Sequence, residues 1–199
     1  MTVDRVAVVG AGTRGAQIAA QCALHNFSVE LIESDPRKLE EAVRTNHRHL
    51  ARRVEKGSLS EAELESTFSR IHPSLDIELA ARAQIAIEAV FEDLAAKRDV
   101  FTQLAEICAP EAVLATNSSS IPISQITHDL PYPDRACNIH FFHPVLIMRL
   151  VEIMRGPETS DDTIDAGYTV CPADRSRAGP DREGDFRHDR QPDPRCDQA

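Results

Sequence analysis

Residues 5 to 9, RVAVV, form an unbroken apolar run that stops at a glycine cluster, the pattern of a strand buried on both faces of a parallel sheet. Ile18, Ala19, Cys22 and Ala23 then recur with one-sided helical spacing. The alternation repeats down the chain. SVELIE (28–33) reads as a second strand, and Pro36 is placed to open a helix whose face carries Leu39, Val43, Asn46, Leu50 and Val54, with Asn46 the polar exception and Gly57 the stop. Ser60 followed by Glu63 is a capping-box pattern ahead of the short helix EAELESTF, and QIAIEAV (84–90) returns to strand character. Leu94, Phe101, Leu104 and Cys108 share a face of a further helix that must end before Pro110. AVLAT leads as a strand into the polar loop NSSS (117–120), and ACNIHFF and RLVEI supply two later strands. Strands and helices thus alternate for about 150 residues, without an internal repeat. That order predicts an α/β fold, a mostly parallel sheet with helices on both faces.

The last twenty-nine residues differ in kind. They contain no Ile, Leu, Val or Met and carry six Asp, six Arg and four Pro, so 171–199 has almost nothing to bury and reads as a disordered, atypical tail behind a domain spanning 1–170. A chain of 199 residues and 42% hydrophobic content suits one domain of ordinary size, not a large two-domain enzyme. The formal charge of -10 gives little help to binding a nucleic acid or an anionic membrane. Five cysteines (22, 108, 137, 171 and 196) show neither a CxxC pair nor metal-ligand spacing, and the odd count fits a reducing compartment. The start MTVDRVAVVG has no signal-peptide pattern and no run is long enough to span a membrane, so the expectation is a cytoplasmic protein without a metal.

Gly10-x-Gly12-x-x-Gly15 lies directly after the first strand and directly before the first helix. Such glycines permit a tight turn, approach of a pyrophosphate and close packing of helix on strand, while the helix N-terminus presents free amide donors. A glycine triplet alone can be no more than a turn. Glu33 adds weight, because it lies 23 residues after Gly10 at the end of the next strand, where a carboxylate accepts from an adenosine ribose hydroxyl. It also repels the extra phosphate of NADP, which favours NAD. Arg14, before the last glycine, can point to solvent, assist a pyrophosphate or weaken the fit.

His140 closes a strand, where side chains reach the crevice outside the carboxyl edge of a doubly wound sheet. An imidazole there can take an alcohol proton while hydride leaves the carbon, and a carboxylate on its other nitrogen fixes the tautomer. Glu152 can be that carboxylate if the Pro144 segment turns the chain back; equally, His140 can be a core histidine and Glu152 a surface charge. Asn117, Ser118 and Ser119 end another strand and can orient a ribose, an alcohol or a carbonyl, though Asn and Ser are common turn residues.

These segments resemble one family, the L-3-hydroxyacyl-CoA dehydrogenases, including 3-hydroxybutyryl-CoA dehydrogenases. GAGTRGAQIA resembles its nucleotide loop, and IEAVFEDLAAKRDVFTQLAEICAPEAVLATNSSSIPI and IHFFHPVLIMRLVEI resemble its two central signatures, over about residues 4 to 170. The resemblance implies a Rossmann-like doubly wound domain and oxidation of the 3-hydroxyl of an acyl-CoA by NAD, within fatty-acid or short-chain acyl-CoA metabolism. It places the catalytic histidine at His140, its glutamate at Glu152 and a substrate-contacting serine at Ser119. It further implies NAD contacts from Glu33, Glu92 and Lys97, with the Asn117 loop beside them, and a contact from Lys56 to CoA phosphates.

Three departures stand out. Arg14 replaces the usual methionine, and His143 stands where the common motif reads HFFNP. Family members also continue into an all-helical domain that closes the cleft, forms the dimer and contributes an asparagine, whereas the family-like text fails here near Val170. Thr159 with Asp162 can cap a last helix beginning near Ser160, cut short by Pro172. The resemblance therefore implies a helical second domain that is absent and a tail that reads as an out-of-frame or prematurely ended remnant, against the rival of a naturally disordered tail. Three expectations follow for the chain: an NAD-dependent dehydrogenase, a non-catalytic NAD-binding module, or a fragment that associates through exposed apolar surface.

Overall fold

The computed structural model describes residues 3–148, 150–170 and 176–181. An eight-stranded sheet runs in the order β3-β2-β1-β4-β5-β6-β7-β8. Its strands are β1 (Arg5–Val9), β2 (Ser28–Ile32), β3 (Ile71–Ser74), β4 (Ile85–Glu88), β5 (Val113–Thr116), β6 (Ala136–Phe141), β7 (Leu150–Arg155) and β8 (Ser176–Asp181). All neighbours pair in parallel except β6 and β7, which are antiparallel. The helices are α1 (Thr13–Leu24), α2 (Pro36–Glu55), α3 (Glu61–Ser69), α4 (Leu94–Ile107), α5 (Ile123–Ile126) and α6 (Asp161–Thr169). This is the mostly parallel, doubly covered sheet that the alternation implied, in the Rossmann-like form that the resemblance implied. Among the described residues no second helical domain follows it.

The central strands are largely apolar because both faces are covered. Val6, Val8, Val29, Leu31, Ile85, Ile87 and Ile139 point to one side, packed with residues of α1, α2 and α6; Ala7, Val9, Ile32, Ala86 and Leu114 point to the other, beneath α4 and α5. Period-two alternation therefore divides each run between two cores. Asn46, the polar interruption on α2, is buried and donates from Nδ2 to the Ala16 carbonyl of α1 at 2.6 Å, so it bridges two helices.

Helix ends follow their local chemistry. The Asp35 side chain accepts from the Arg37 amide at 2.8 Å ahead of Pro36, and the chain leaves α2 through Gly57 at φ +69°. The reciprocal Ser60–Glu63 capping box opens α3 as the sequence indicates. At α6 the cap differs from expectation: Ser160, not Thr159, accepts from the Thr163 amide. Thr159 is engaged elsewhere, donating to the Ala136 carbonyl at 2.6 Å and accepting from the Gly156 amide at 2.8 Å.

Two further differences lie at the sheet edges. β3, IHPS, has too little apolar pattern to announce itself, and its proline is tolerated at its place beyond β2. Ser176–Asp181 pairs in parallel with β7 although the segment carries no aliphatic stretch, since a ladder needs only backbone donors and acceptors. The disorder expected for 171–199 otherwise falls at 171–175 and 182–199, outside the described residues. No helix among the described residues is long and apolar enough to cross a membrane.

Candidate functional site

β1, β4, β5 and β6 all run the same way, so Val9, Glu88, Thr116 and the end of β6 meet at one sheet edge. β7 returns from that edge in the opposite direction, which brings its beginning there as well. Every candidate side chain apart from Lys56 belongs to this edge, to the loops leaving it or, for Lys97, to the first turn of the helix that follows β4.

The glycine loop joins β1 to α1. Gly10 has φ +104°, and a Cβ there would lie 2.8 Å from the Ala89 carbonyl carbon and oxygen. At Gly15 a Cβ would lie 1.9 Å from the Gly10 oxygen, so strand and helix approach as closely as backbone allows. Gly12 is the opposite case, with nothing within 4 Å of its Cβ position. Gly12 also caps α1 without offering a side-chain acceptor to the first-turn amides. Two crowded glycines and one open one make a cradle that fits a dinucleotide pyrophosphate. Arg14 lies exposed on the first turn of α1.

Glu33 follows β2 and is bound back to the loop: its Oε2 accepts from the Ala11 amide at 3.0 Å, and its Oε1 accepts from the Asp35 amide at 3.2 Å. The carboxylate therefore stands beside the glycine cradle, where a ribose diol can donate to it. A hollow of about 420 Å³ adjoins the same loop, bounded by Gly12, Thr13, Gln17, Arg37 and Asn46.

On the other side of β1, the end of β4 holds a buried ionic cluster. Lys97 Nζ, on α4, donates to Glu88 at 2.8 and 3.1 Å and lies 3.3 Å from Glu92 Oε2. Glu88 is fully buried and Lys97 is 1% exposed, while the Glu92 side chain remains 40% exposed at the site surface. Glu92 also accepts from the Ser118 hydroxyl and, at 2.7 Å, from the Ser120 hydroxyl. Burial works against its ionisation, but the two hydroxyls and the Lys97 ammonium outweigh that and hold the carboxyl below the ordinary glutamate range.

The serine loop is more than a turn. Ser118 is buried and its Oγ accepts from the Ile121 amide at 2.8 Å, which leaves Ser119 at the exposed apex. Asn117 Oδ1 accepts from the Phe141 amide at 2.8 Å, and Asn138 Nδ2 donates to the Ser118 carbonyl at 3.2 Å. These bonds tie β5 and its loop to β6.

His140 and Glu152 are directly opposed across the antiparallel β6–β7 pair, with His140 Nδ1 3.3 Å from Glu152 Oε2. The turn that makes this possible closes through bonds from the Ile147 and Met148 amides to the Pro144 carbonyl, both 2.9 Å. The Phe142 ring rests against the imidazole, centroids 4.6 Å apart. The imidazole is 12% exposed and the carboxylate 30%, side by side at this sheet edge. His143 is exposed just beyond.

The structure thus brings Gly10, Gly12, Gly15, Glu33, Glu92, Lys97, Asn117, Ser119, His140 and Glu152 to one edge. Lys56 is set apart, an exposed C-cap at the far end of α2, roughly 30 Å along that helix from Pro36. Sequence reasoning did not single out Glu88. The signal was present: Lys97 falls on the same helical face as Leu94, Phe101 and Leu104, and a buried lysine demands a buried acid such as the one ending IAIE.

Residues 5–173 match the family model described as 3-hydroxyacyl-CoA dehydrogenase, NAD binding domain. The chain is 39% identical over 163 residues to a probable 3-hydroxybutyryl-CoA dehydrogenase of Bacillus subtilis, covering 82% of this chain and 57% of that protein. It is also 39% identical over 165 residues to the 3-hydroxyadipyl-CoA dehydrogenase of Escherichia coli, covering 83% and 35% respectively. A crystal structure of 3-hydroxybutyryl-CoA dehydrogenase from Escherichia coli superposes with a TM-score of 0.84 at 37% identity, over 86% of this chain and 36% of that one. The chain therefore spans little more than half, or about a third, of the relatives it matches. It belongs to the 3-hydroxyacyl-CoA dehydrogenase family, of which it spans the NAD-binding domain.

Proposed function

We propose that this chain serves the NAD-dependent oxidation of the 3-hydroxyl of an L-3-hydroxyacyl-CoA to the 3-oxoacyl-CoA, with His140 as general base. The observation that carries this reading is the opposed His140–Glu152 pair at the sheet edge that also bears the glycine cradle. Nδ1 faces the carboxylate, so a proton held there leaves Nε2 as the acceptor for the substrate hydroxyl. Glu152 keeps that tautomer and stabilises the imidazolium once the proton has arrived. Ser119, exposed at the loop apex, orients the hydroxyl oxygen. Bound NAD supplies the acceptor for the C3 hydride. In the reverse direction His140 returns the proton to the ketone oxygen.

The loop of Gly10, Gly12 and Gly15 holds the pyrophosphate, Glu33 accepts from the adenosine ribose, and Glu92 with Lys97 lines the opposite half of the cofactor cleft. Asn117 has its carboxamide oxygen engaged by Phe141, so contact with the cofactor falls to its Nδ2. Lys56 meets the CoA phosphates, a role suited to a remote, exposed cation.

A second reading is favoured by the share of the relatives that the chain spans, 57% and 35%. In it the chain binds NAD but turns over only with a helical partner that closes the cleft, because positioning and water exclusion contribute several kcal/mol to such barriers. Absorbance at 340 nm with NAD and 3-hydroxybutyryl-CoA, beside His140→Ala, separates the two. NADH formation that the substitution reduces about 10²–10⁴-fold supports catalysis by this chain. Cofactor binding with no NADH formed supports the second reading.

A further inference from the structure

Glu88 ends β4 and reaches no solvent. Its carboxylate accepts from Lys97 Nζ at 2.8 and 3.1 Å, from Thr116 Oγ1 at 2.6 Å and from the Val90 amide at 2.7 Å. The Lys97 ammonium reaches onward to Glu92, 3.3 Å away. Lys97 and Glu92 alone would be a neutral pair. Glu88 adds a second carboxylate to one ammonium, so the cluster carries one net negative charge.

We infer that Glu88 adds one unit of negative charge to the nicotinamide half of the cofactor cleft, and so makes the cleft prefer the oxidised, cationic dinucleotide over the reduced, neutral-ringed one. The inference rests on the functional reading above, which puts the reacting ring within reach of His140. Strand order supplies the geometry. Glu33 follows β2, on one side of β1, and takes the adenosine; β4, β5 and β6 lie on the other side and end at Glu88, Thr116 and the His140 region. Glu92 leaves β4 into that second half, partly exposed, with its carboxylate anchored by Lys97, Ser118 and Ser120. Glu88 touches no ligand. It is a positioning residue that fixes Lys97 and supplies the excess charge, acting in a poorly screened interior where one unit charge is felt at the ring.

The test is cofactor affinity in both redox states, measured on the full chain: NADH by fluorescence titration and NAD by competition. Glu88→Gln is close in shape and removes that added charge; it is expected to weaken NAD relative to NADH roughly tenfold, the scale of one unit charge about 12 Å away at an effective dielectric of about 20. The double variant Glu88→Gln/Lys97→Met removes one charge of each sign, and Glu88→Asp removes none; both are expected to keep the wild-type ratio even where both affinities fall. A merely structural role would weaken NAD and NADH together in Glu88→Gln, leaving the ratio unchanged, and that result overturns the inference. So does a shifted ratio in either charge-preserving variant, which keeps the test decisive if Glu88→Gln does not fold. Wild-type protein that binds neither form would instead overturn the functional reading itself.

Discussion

The imidazole of His140 lies between the Glu152 carboxylate and the Phe142 ring, and these neighbours fix what each substitution around it should do. Glu152→Gln keeps the shape of the side chain but removes the charge that, in the proposed reaction, stabilises the imidazolium. Its kcat is expected to fall about 10²-fold while the dissociation constant for NADH stays within about twofold of wild type, since the lost interaction grows only as the proton arrives. Stopped-flow turnover beside equilibrium titration checks this, and a matching loss of NADH affinity would place Glu152 in the cofactor site instead. Glu92 supports a second residue-level expectation, in pH. Its folded pKa is depressed, so its contribution to stability is present above the unfolded value and is lost as pH falls through the folded one. Ser118→Ala removes a hydroxyl that favours the ionised form. The destabilisation is therefore expected to be larger at pH 7 than at pH 3, in urea melts followed by circular dichroism, whereas a purely steric effect would be equal at both. At this scale the sequence disclosed residues whose chemistry is unusual for their surroundings, such as His140 after an apolar run. It did not disclose Glu88, because one acidic residue closing a four-residue strand looks the same whether it meets solvent or a buried lysine.

Elements were legible where their signals are local. The glycine loop, the capping box of α3 and the Pro36–Gly57 limits of α2 are each set by a few neighbouring residues, and each stands where the spacing put it. β3 and the cap of α6 depend on distant partners: β3 becomes a strand only against β2, and Thr159 is taken from the cap by the Ala136 carbonyl. Asn46 belongs to the same class. As a polar residue on an apolar helical face it looks like an error, but its Nδ2 joins α2 to α1 while its buried Oδ1 has no partner. Asn46→Ala leaves the Ala16 carbonyl without this donor and is expected to cost about 1–3 kcal/mol in chemical denaturation. Asn46→Leu, which fills the volume without a polar atom, should recover part of that loss if the orphaned Oδ1 is a real burden. A variant no less stable than wild type in the alanine case would mean that the bridge contributes nothing.

For the whole molecule, the alternation of strands and helices was enough to give a parallel, doubly covered sheet, because each βαβ unit can close in only one hand. The edges were less legible, since an edge strand such as β8 joins through backbone groups that no side-chain pattern records. The surface beyond those edges sets a property of the entire chain. Phe91 is 72% exposed and Ile147 74%, each in a loop that leaves the ligand-binding edge, and Leu75 is 54% exposed beside an apolar groove of about 830 Å³ lined by Leu39, Val43, Phe68 and Pro73. Isolated exposed apolar residues are ordinary, but a groove of that size together with two bulky side chains at the functional edge leaves apolar area that a partner can cover. The full chain is therefore expected to associate, with a weight-average mass by light scattering that rises with concentration over the micromolar range. Phe91→Ser with Ile147→Ser should reduce that rise if the functional edge is the contact, whereas Leu75→Ser should reduce it if the groove is. A mass that stays at the monomer value throughout would show that neither surface drives association, and that the charge of -10 is sufficient to keep the chains apart.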